Sequence, residues 1–364
     1  MMIQYTMKHQ IICEVAAKNG LLDILKTVYR VDCKLNNNKI YIIATEHGHL
    51  NIVKYLVENG ADVHECFELA LRTAAKKGYF DIVKYLVEKG AVIHANGDEA
   101  FCNSAENGHL DIVKFFIENC VHINIKDDYV LYSSVSNGHM NIVKYLIEKG
   151  FNVHAYNDYA LRYSAENGHL DVVRLLIDKK CNIHSHDDYA FGHSASNGHL
   201  DIVRLLVEKG ANIHADDDFA LIYSAKGGHF ELVKFLVEHG ANVHAEHELA
   251  FIWSAEYGHF EIVKYLAENG ADIHVDDDYA LHLSAQSGYL DIVKYLIEEK
   301  GANVHTDNDC ALRWAAGNGH LDVVEYLVEK GADIHASDDY AFHMSKKNTH
   351  VHDFLQSLIA KEKT

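Results

Sequence analysis

GHLDIVRLLVEKGANIHADDDFALIYSA, from Gly198 to Ala225, carries the strongest structural signal in this chain of 364 residues. The same pattern returns every 30 residues, and its first glycine keeps that spacing from Gly48 to Gly288. A fixed period of this length is typical of a repeat protein, in which each repeat packs only against its neighbours. The sequence therefore predicts one elongated array of about twelve repeats rather than several independent domains.

Each repeat has the pattern of two short helices joined by a tight turn. In the repeat around Gly78, Leu71 and Ala75 lie on one face of a first helix, and Ile82 and Leu86 lie on one face of a second. Gly78 stands where the first helix must end with a positive φ, which glycine adopts without steric cost. We therefore expect every such glycine to close a first helix.

The two ends of the array depart from the pattern. Residues 1–37 match the repeat only in part, and we interpret them as an N-terminal capping repeat. Residues 339–364 form a degenerate repeat that ends in polar residues. Terminal repeats of a solenoid need a polar outer face, so both ends fit that role. The predicted organisation is an N-terminal cap at 1–37, a repeat array at 38–338 and a C-terminal cap at 339–364.

The repeated stretch GHLDIVRLLVEKGANIHA, from Gly198 to Ala215, resembles the second helix and exit of the ankyrin repeat, and it recurs in register about ten times. The variant resembles the ankyrin repeat proteins of mimivirus-type large DNA viruses. The resemblance implies an all-α ankyrin-repeat solenoid of about twelve 30-residue helix-turn-helix repeats. These repeats are shorter than the usual 33 residues, and the family's TPLH tetrapeptide is replaced, for example by YALR at 159–162. Shortened hairpin loops are therefore expected.

Composition excludes several classes of function. The net charge of −20 repels a phosphate backbone, so we expect no nucleic-acid partner. No apolar run approaches the ~18 residues of a membrane span, and the N-terminus lacks the apolar core of a secretory signal. The seven cysteines form no CxxC pair, which favours a reduced, intracellular setting, the host cytoplasm if the viral resemblance holds. Nucleophile elbows, phosphate-binding glycine loops and HExxH motifs are missing, so we expect no enzyme activity and no cofactor.

Most of the 28 histidines fall into two columns. Within a column, neighbours should lie roughly 8–10 Å apart, and the two columns stand at opposite ends of a helix, on the order of 15 Å apart. Neither spacing suits a zinc ion, whose ligands lie at about 2 Å, so we expect no metal and predict that these side chains bond to backbone and join adjacent repeats. The first column is His49, His109, His139, His169, His199, His229, His259 and His320; the second is His64, His94, His154, His184, His214, His244, His274, His305 and His335.

An acidic residue stands just before every first helix, where we expect it to cap the helix or to favour its dipole. Further acids beside this column would give the loop edge a negative stripe for a basic partner. The candidate edge residues are Asp188, Asp217, Asp218, Asp277 and Asp278. The column is Glu68, Asp98, Asp128, Asp158, Asp188, Asp218, Glu248, Asp278, Asp309 and Asp339.

The outward positions of the first helices vary from repeat to repeat and become aromatic and apolar in the later repeats. The resemblance implies that this face lines a concave groove that binds partners, and clusters of exposed aromatic residues mark interaction sites. The alternative is that these rings only pack against the next repeat and complete the core. The candidate residues are Tyr163, His193, Tyr223, Ile252, Trp253, Tyr257, Leu283, Arg313 and Trp314.

The sequence thus favours a monomeric, non-catalytic module that binds a partner protein, with a viral adaptor for a host protein as the specific form that the resemblance suggests. The alternative is a structural scaffold or virion component that associates with copies of itself. That alternative predicts oligomers that form with rising concentration and that the same aromatic positions control.

Overall fold

A computed structural model of the chain describes residues 2–31, 35–119 and 129–362. Asp128 of the acidic column lies outside these ranges. The described ranges contain helices and no strand, which confirms the all-α prediction. The chain divides into two compact units, residues 1–182 and 183–364. Each unit is a series of helix pairs.

The helices of the two units follow one another in the order that the repeat predicts. In the first unit they are α1 Met2–Lys18, α2 Leu22–Tyr29, α3 Asn37–Glu46, α4 Leu50–Glu58, α5 Glu65–Lys77, α6 Phe80–Glu88, α7 Ala95–Glu106, α8 Leu110–Asn119, α9 Tyr129–Ser136, α10 Met140–Glu148, α11 Ala155–Glu166 and α12 Leu170–Asp178. In the second they are α13 Ser185–Ser196, α14 Leu200–Glu208, α15 Ala215–Lys226, α16 Phe230–Glu238, α17 Ala245–Glu256, α18 Phe260–Glu268, α19 Val275–Ser287, α20 Leu290–Glu298, α21 Thr306–Asn318, α22 Leu321–Glu329, α23 Ala336–Met344, a 3-10 turn Ser345–Lys347 and α24 Thr349–Glu362.

The core of each unit lies between first and second helices. In α14, Ile202, Val203 and Leu206 are buried on one face, and in α15 the small Ala225 and the larger Leu221 are buried on another. Burying one aliphatic side chain of this size stabilises the fold by about 1.5–3 kcal/mol. Within a unit, first helices of successive repeats also pack on one another, as α15 does on α17, and small residues allow that close approach.

The glycine that closes each first helix has the positive φ that the sequence predicts, for example +76° at Gly228. A Cβ on Gly228 would lie 2.6 Å from Cε1 of His259 in the next repeat. The glycine is therefore required twice, for the backbone conformation and for the approach of the neighbouring ring.

A turn of three left-handed residues replaces the hairpin loop between repeats. In the second unit, Asp216, Asp217 and Asp218 have φ of 51°, 52° and 60°. Asp and Asn tolerate this region better than most residues, and they are frequent at these positions. The last residue of this turn is the acidic residue of the column, and the right-handed part of the first helix follows it. The turn therefore sets the direction of each carboxylate and of the two carbonyl groups before it.

Candidate protein-binding face

The first column of histidines joins neighbouring repeats through the backbone, as predicted. His259 stands before α18, and its Nε2–H donates to the carbonyl oxygen of Lys226 in the preceding repeat at 2.9 Å. This bond satisfies one of the carbonyl groups left without a helical partner at the end of α15. The same bond is made by His49, His109, His139, His169, His229 and His320, at 2.7–3.1 Å.

The second column pairs with the acidic column, an arrangement that the sequence analysis missed. His214 stands four residues before Asp218, and its Nδ1 lies 3.1 Å from a carboxylate oxygen of that residue. Among the residues that the structure describes, nine His–acid pairs of this spacing have distances of 2.5–3.1 Å. The signal was present in the sequence as a constant separation of four residues between the two columns.

The acidic side chains also hold the loop of the following repeat. Asp218 accepts a hydrogen bond from the backbone N–H of Asn242 at 2.9 Å. Glu68, Asp158, Asp188, Asp278 and Asp309 accept equivalent bonds, at 3.0–3.2 Å. The predicted helix capping is therefore replaced by a joint between repeats, made of one histidine, one carboxylate and one backbone N–H.

This joint corrects part of the predicted acidic edge. Asp188, Asp218 and Asp278 are only 4–6% exposed, because each carboxylate is turned inward onto its histidine and the next loop. They are unavailable to a partner, and the prediction that they form a surface stripe is wrong. Asp217 and Asp277 are exposed and remain as candidates.

The pKa of His64 reports directly on one of these joints. The hydrogen bond from Nδ1 to the Glu68 carboxylate, 2.6 Å long, raises the pKa of His64 above its ordinary value of 6.5. Because the folded state then holds the proton more tightly, the pair contributes stability that is full below pH 6.5 and is lost as the pH rises through the folded pKa.

We expect Glu68→Gln to return the pKa of His64 toward 6.5, since the amide keeps an oxygen for the loop but carries no charge. The measurement is an NMR titration of the His64 ring. Glu65→Gln, which neutralises a neighbouring acid that does not bond His64, is the control and should leave the titration midpoint in place. An unchanged midpoint in Glu68→Gln would show that the joint does not form.

Three of the described residues in the first unit approach the geometry of a metal site. Ligand atoms of His154, Asp158 and Cys181 lie within 4.8 Å of one another. The Asp158 carboxylate already accepts from His154 at 2.8 Å and from the N–H of Asn182 at 3.1 Å, and burial raises the pKa of the Cys181 thiol. A protonated thiol is a poor zinc ligand, so these residues fit a hydrogen-bonded joint better than a metal centre.

The outward positions of the first helices in the second unit form a continuous row of rings. The rings of Tyr189 and His193 stack at 3.8 Å, and His193 meets Phe219 of the next repeat at 5.2 Å. Phe219 stacks on Tyr223 at 4.0 Å, and Tyr223 meets the edge of Trp253 at 5.3 Å. We call these five residues the aromatic row. Its rings contact one another from repeat to repeat and are only half-buried, so they are packed but still accessible at the surface.

A lysine sits at the end of the aromatic row. The Nζ of Lys226 lies 4.4 Å from the ring centroid of Trp253 and 5.3 Å from that of Tyr257. Such contacts are worth about 0.5–1 kcal/mol at exposed sites. Tyr257 is 45% exposed.

The remaining candidates differ in their exposure. Ile252 is 5% exposed and packs into the core, so its predicted place on the binding face is wrong. Leu283 and Arg313 are half-buried, and Trp314 is 45% exposed. Tyr163 belongs to the first unit, where it stacks on Tyr159 at 3.9 Å.

Comparison with known proteins places this architecture in a family. The family model for ankyrin repeats in three copies matches residues 13–97, 101–187, 151–217, 191–277 and 273–338. An ankyrin repeat protein of Acanthamoeba polyphaga mimivirus is 38% identical over 63 residues, which is 15% of this chain and 11% of that protein. In the described part of the chain, no helix combines the length and apolar character that crossing a membrane requires. With family matches over most of its length, the chain belongs to the ankyrin repeat family.

Proposed function

We propose that this chain binds a partner protein through the first-helix face of its second unit, with the aromatic row, Tyr257 and Trp314 as anchors. The observation that carries the proposal is the half-exposed row of rings from Tyr189 to Trp253. Trp and Tyr dominate the energetics of protein interfaces, and prior ordering of an anchor lowers the entropy cost of binding. Ankyrin repeats as a family are protein–protein interaction modules.

The charge beside the face favours a basic partner. Asp216 and Asp217 are exposed on the left-handed turn in the first residues of α15, and Asp276 and Asp277 are exposed on the same turn of α19. Together with the net charge of −20 they attract and orient a positively charged surface.

The similarity to a mimivirus protein supports a viral origin for the interaction, so the partner in this proposal is a host protein in the host cytoplasm. The chain acts as a monomer and as one side of an adaptor. No catalytic step is part of the proposal.

The experiment compares three baits in amoebal lysate at matched concentration. One bait is the unaltered chain, the second carries Tyr223→Ser, Trp253→Ser and Trp314→Ser, and the third carries exposed aromatic changes elsewhere. We expect a partner that binds the first and third baits and whose affinity for the second falls by about 10-fold or more. The control changes are Phe67→Ser, Tyr129→Ser and Tyr156→Ser, at residues that are 59–76% exposed.

Self-association is the competing function, and sedimentation velocity separates the two. A monomer at all concentrations, together with a captured partner, supports the proposal. Oligomers that form with rising concentration and are abolished by the second bait's changes would assign the face to contacts between copies of the chain. Equal capture by all three baits would show that the partner does not bind the first-helix face.

A further inference from the structure

Arginine recurs at one position of the first helix, just before the half-exposed ring position, and it folds back onto the left-handed turn of its own repeat. Arg162 donates from Nε to the carbonyl oxygen of Asn157 at 3.2 Å and from Nη2 to that of Tyr156 at 2.9 Å. Arg72 repeats this arrangement with the carbonyl oxygens of Phe67 and Cys66, both at 2.9 Å. The two carbonyl groups of the turn thus form a binding site for a guanidinium group.

Aromatic rings lie beside the guanidinium groups that these turns hold. The guanidinium of Arg162 lies 5.7 Å from the ring centroids of both Tyr159 and Tyr163. Arg313 lies 5.5 Å from the ring of Tyr340, and its Nη2 donates to the carbonyl oxygen of Asp307 at 2.7 Å.

In the repeat of α13 the same position is Gly192, and a cavity of about 120 Å³ opens beside it. The cavity is lined by the turn residues His186 and Asp187 and by the rings of Tyr189 and His193. Since one water needs about 30 Å³, the volume accommodates a group of several heavy atoms, such as a guanidinium. Gly192 places no side chain of its own in this cavity, whereas Arg162 stands at the equivalent position of its repeat.

The turn beneath Gly192 has the same backbone as the turn that holds Arg162. His186 and Asp187 have φ, ψ of 53°, 54° and 54°, 53°. Tyr156 and Asn157 have 49°, 46° and 55°, 60°. Because the dihedral angles agree within about 10°, the two carbonyl groups point in similar directions. Tyr189 and His193 occupy the positions of the two rings that flank Arg162.

The charge and shape of the cavity favour arginine over other groups. Asp187 and Asp216 line it and are exposed, and its lining contains no lysine or arginine. Phe219 of the next repeat closes the side nearest Gly192, with its Cδ1 3.1 Å from where a Cβ would stand. A planar guanidinium can lie against aromatic rings while it donates to two carbonyl groups, whereas an ammonium lacks that planar fork of donors.

We propose that the cavity at Gly192 binds an arginine side chain of the partner protein. The inference rests on the proposed function for the source of that arginine, and it adds the chemistry that the partner must present. The bound guanidinium donates to the carbonyl oxygens of His186 and Asp187, lies against Tyr189, and is balanced by Asp187 and Asp216.

The test uses a small probe, so its result does not depend on finding the partner. Nα-acetyl-L-arginine methylamide is titrated into the full chain, and amide NMR shifts of residues around Gly192 are followed. We expect saturable shifts with a dissociation constant on the order of 1 mM. The citrulline analogue has the same shape without the charge, and the lysine analogue has the charge without the plane. We expect both to bind about 10-fold more weakly or worse.

Two variants locate the site. Gly192→Arg fills the cavity from within the chain and should abolish the probe's shifts, because the new side chain copies Arg162. Asp216→Asn removes an exposed charge and should weaken binding about 3-fold or more. Shifts that persist in Gly192→Arg, or equal binding of the citrulline analogue, would overturn the proposal and leave the test of the aromatic face untouched.

Discussion

Gly228→Ala should lower the free energy of unfolding by about 2–4 kcal/mol. The left-handed conformation at φ +76° costs an alanine about 1–2 kcal/mol. The new Cβ would also lie 2.6 Å from His259, and such overpacking costs about 1–3 kcal/mol. The ring cannot withdraw freely, because its Nε2–H donates to the carbonyl oxygen of Lys226.

Gly240→Ala is the matched control for this prediction. Gly240 also has a positive φ, of +98°, but a Cβ there would meet no atom within 4 Å. Its loss of stability should be that of the backbone alone. Urea unfolding followed by tryptophan fluorescence measures both variants. Equal losses would mean that contact with His259 does not hold neighbouring repeats together.

Asp218→Ala should lower the free energy of unfolding by about 3–6 kcal/mol, because it removes a buried acceptor shared by two donors. The carboxylate is 4% exposed and accepts from His214 at 3.1 Å and from the N–H of Asn242 at 2.9 Å. Hydrogen bonds to a charged group contribute about 1.5–3 kcal/mol each, and a donor left without its partner adds to the loss.

Asp216→Ala, two residues earlier on the same turn, is the control. Its φ of 51° resembles the 60° of Asp218, so both variants share the backbone cost of alanine in this region. Asp216 is exposed, and its own removal should cost about 0.5 kcal/mol or less. The same unfolding experiment decides the matter. If Asp218→Ala were no more damaging than Asp216→Ala, the carboxylate would be a surface charge and the joint would not exist.

The repeat architecture could be predicted from the sequence because it is local and recurs in register. The glycine period fixed the ends of the first helices, as the positive φ of Gly228 shows. The bonds of the first histidine column to backbone were also predicted, and His259 makes one. Each of these features depends only on one repeat and its neighbour, and about ten repeats carry the same residues at the same positions.

The joint of histidine and carboxylate could not be predicted from the spacing within either histidine column. His214 and Asp218 are four residues apart, but three left-handed residues lie just before and at the acid, so a helical reading of that spacing was not expected. The burial of Asp218 follows from that turn.

Which side chains are exposed on the proposed binding face could not be predicted from the sequence. Ile252 and Trp253 are adjacent in sequence, yet one is buried and the other half-exposed, because the first helix turns its two positions toward different neighbours. The cavity at Gly192 depends on the turn at His186 and on Phe219 of the next repeat, which no single pattern brings together.

The measurement that tests the central claim most directly is hydrogen exchange on the complex of this chain with its captured partner. The account predicts new protection in α13, α15 and α17, around His193, Tyr223 and Trp253, with the second helices α14, α16 and α18 unchanged. Protection confined to those second helices, or to the first unit, would contradict binding through the first-helix face.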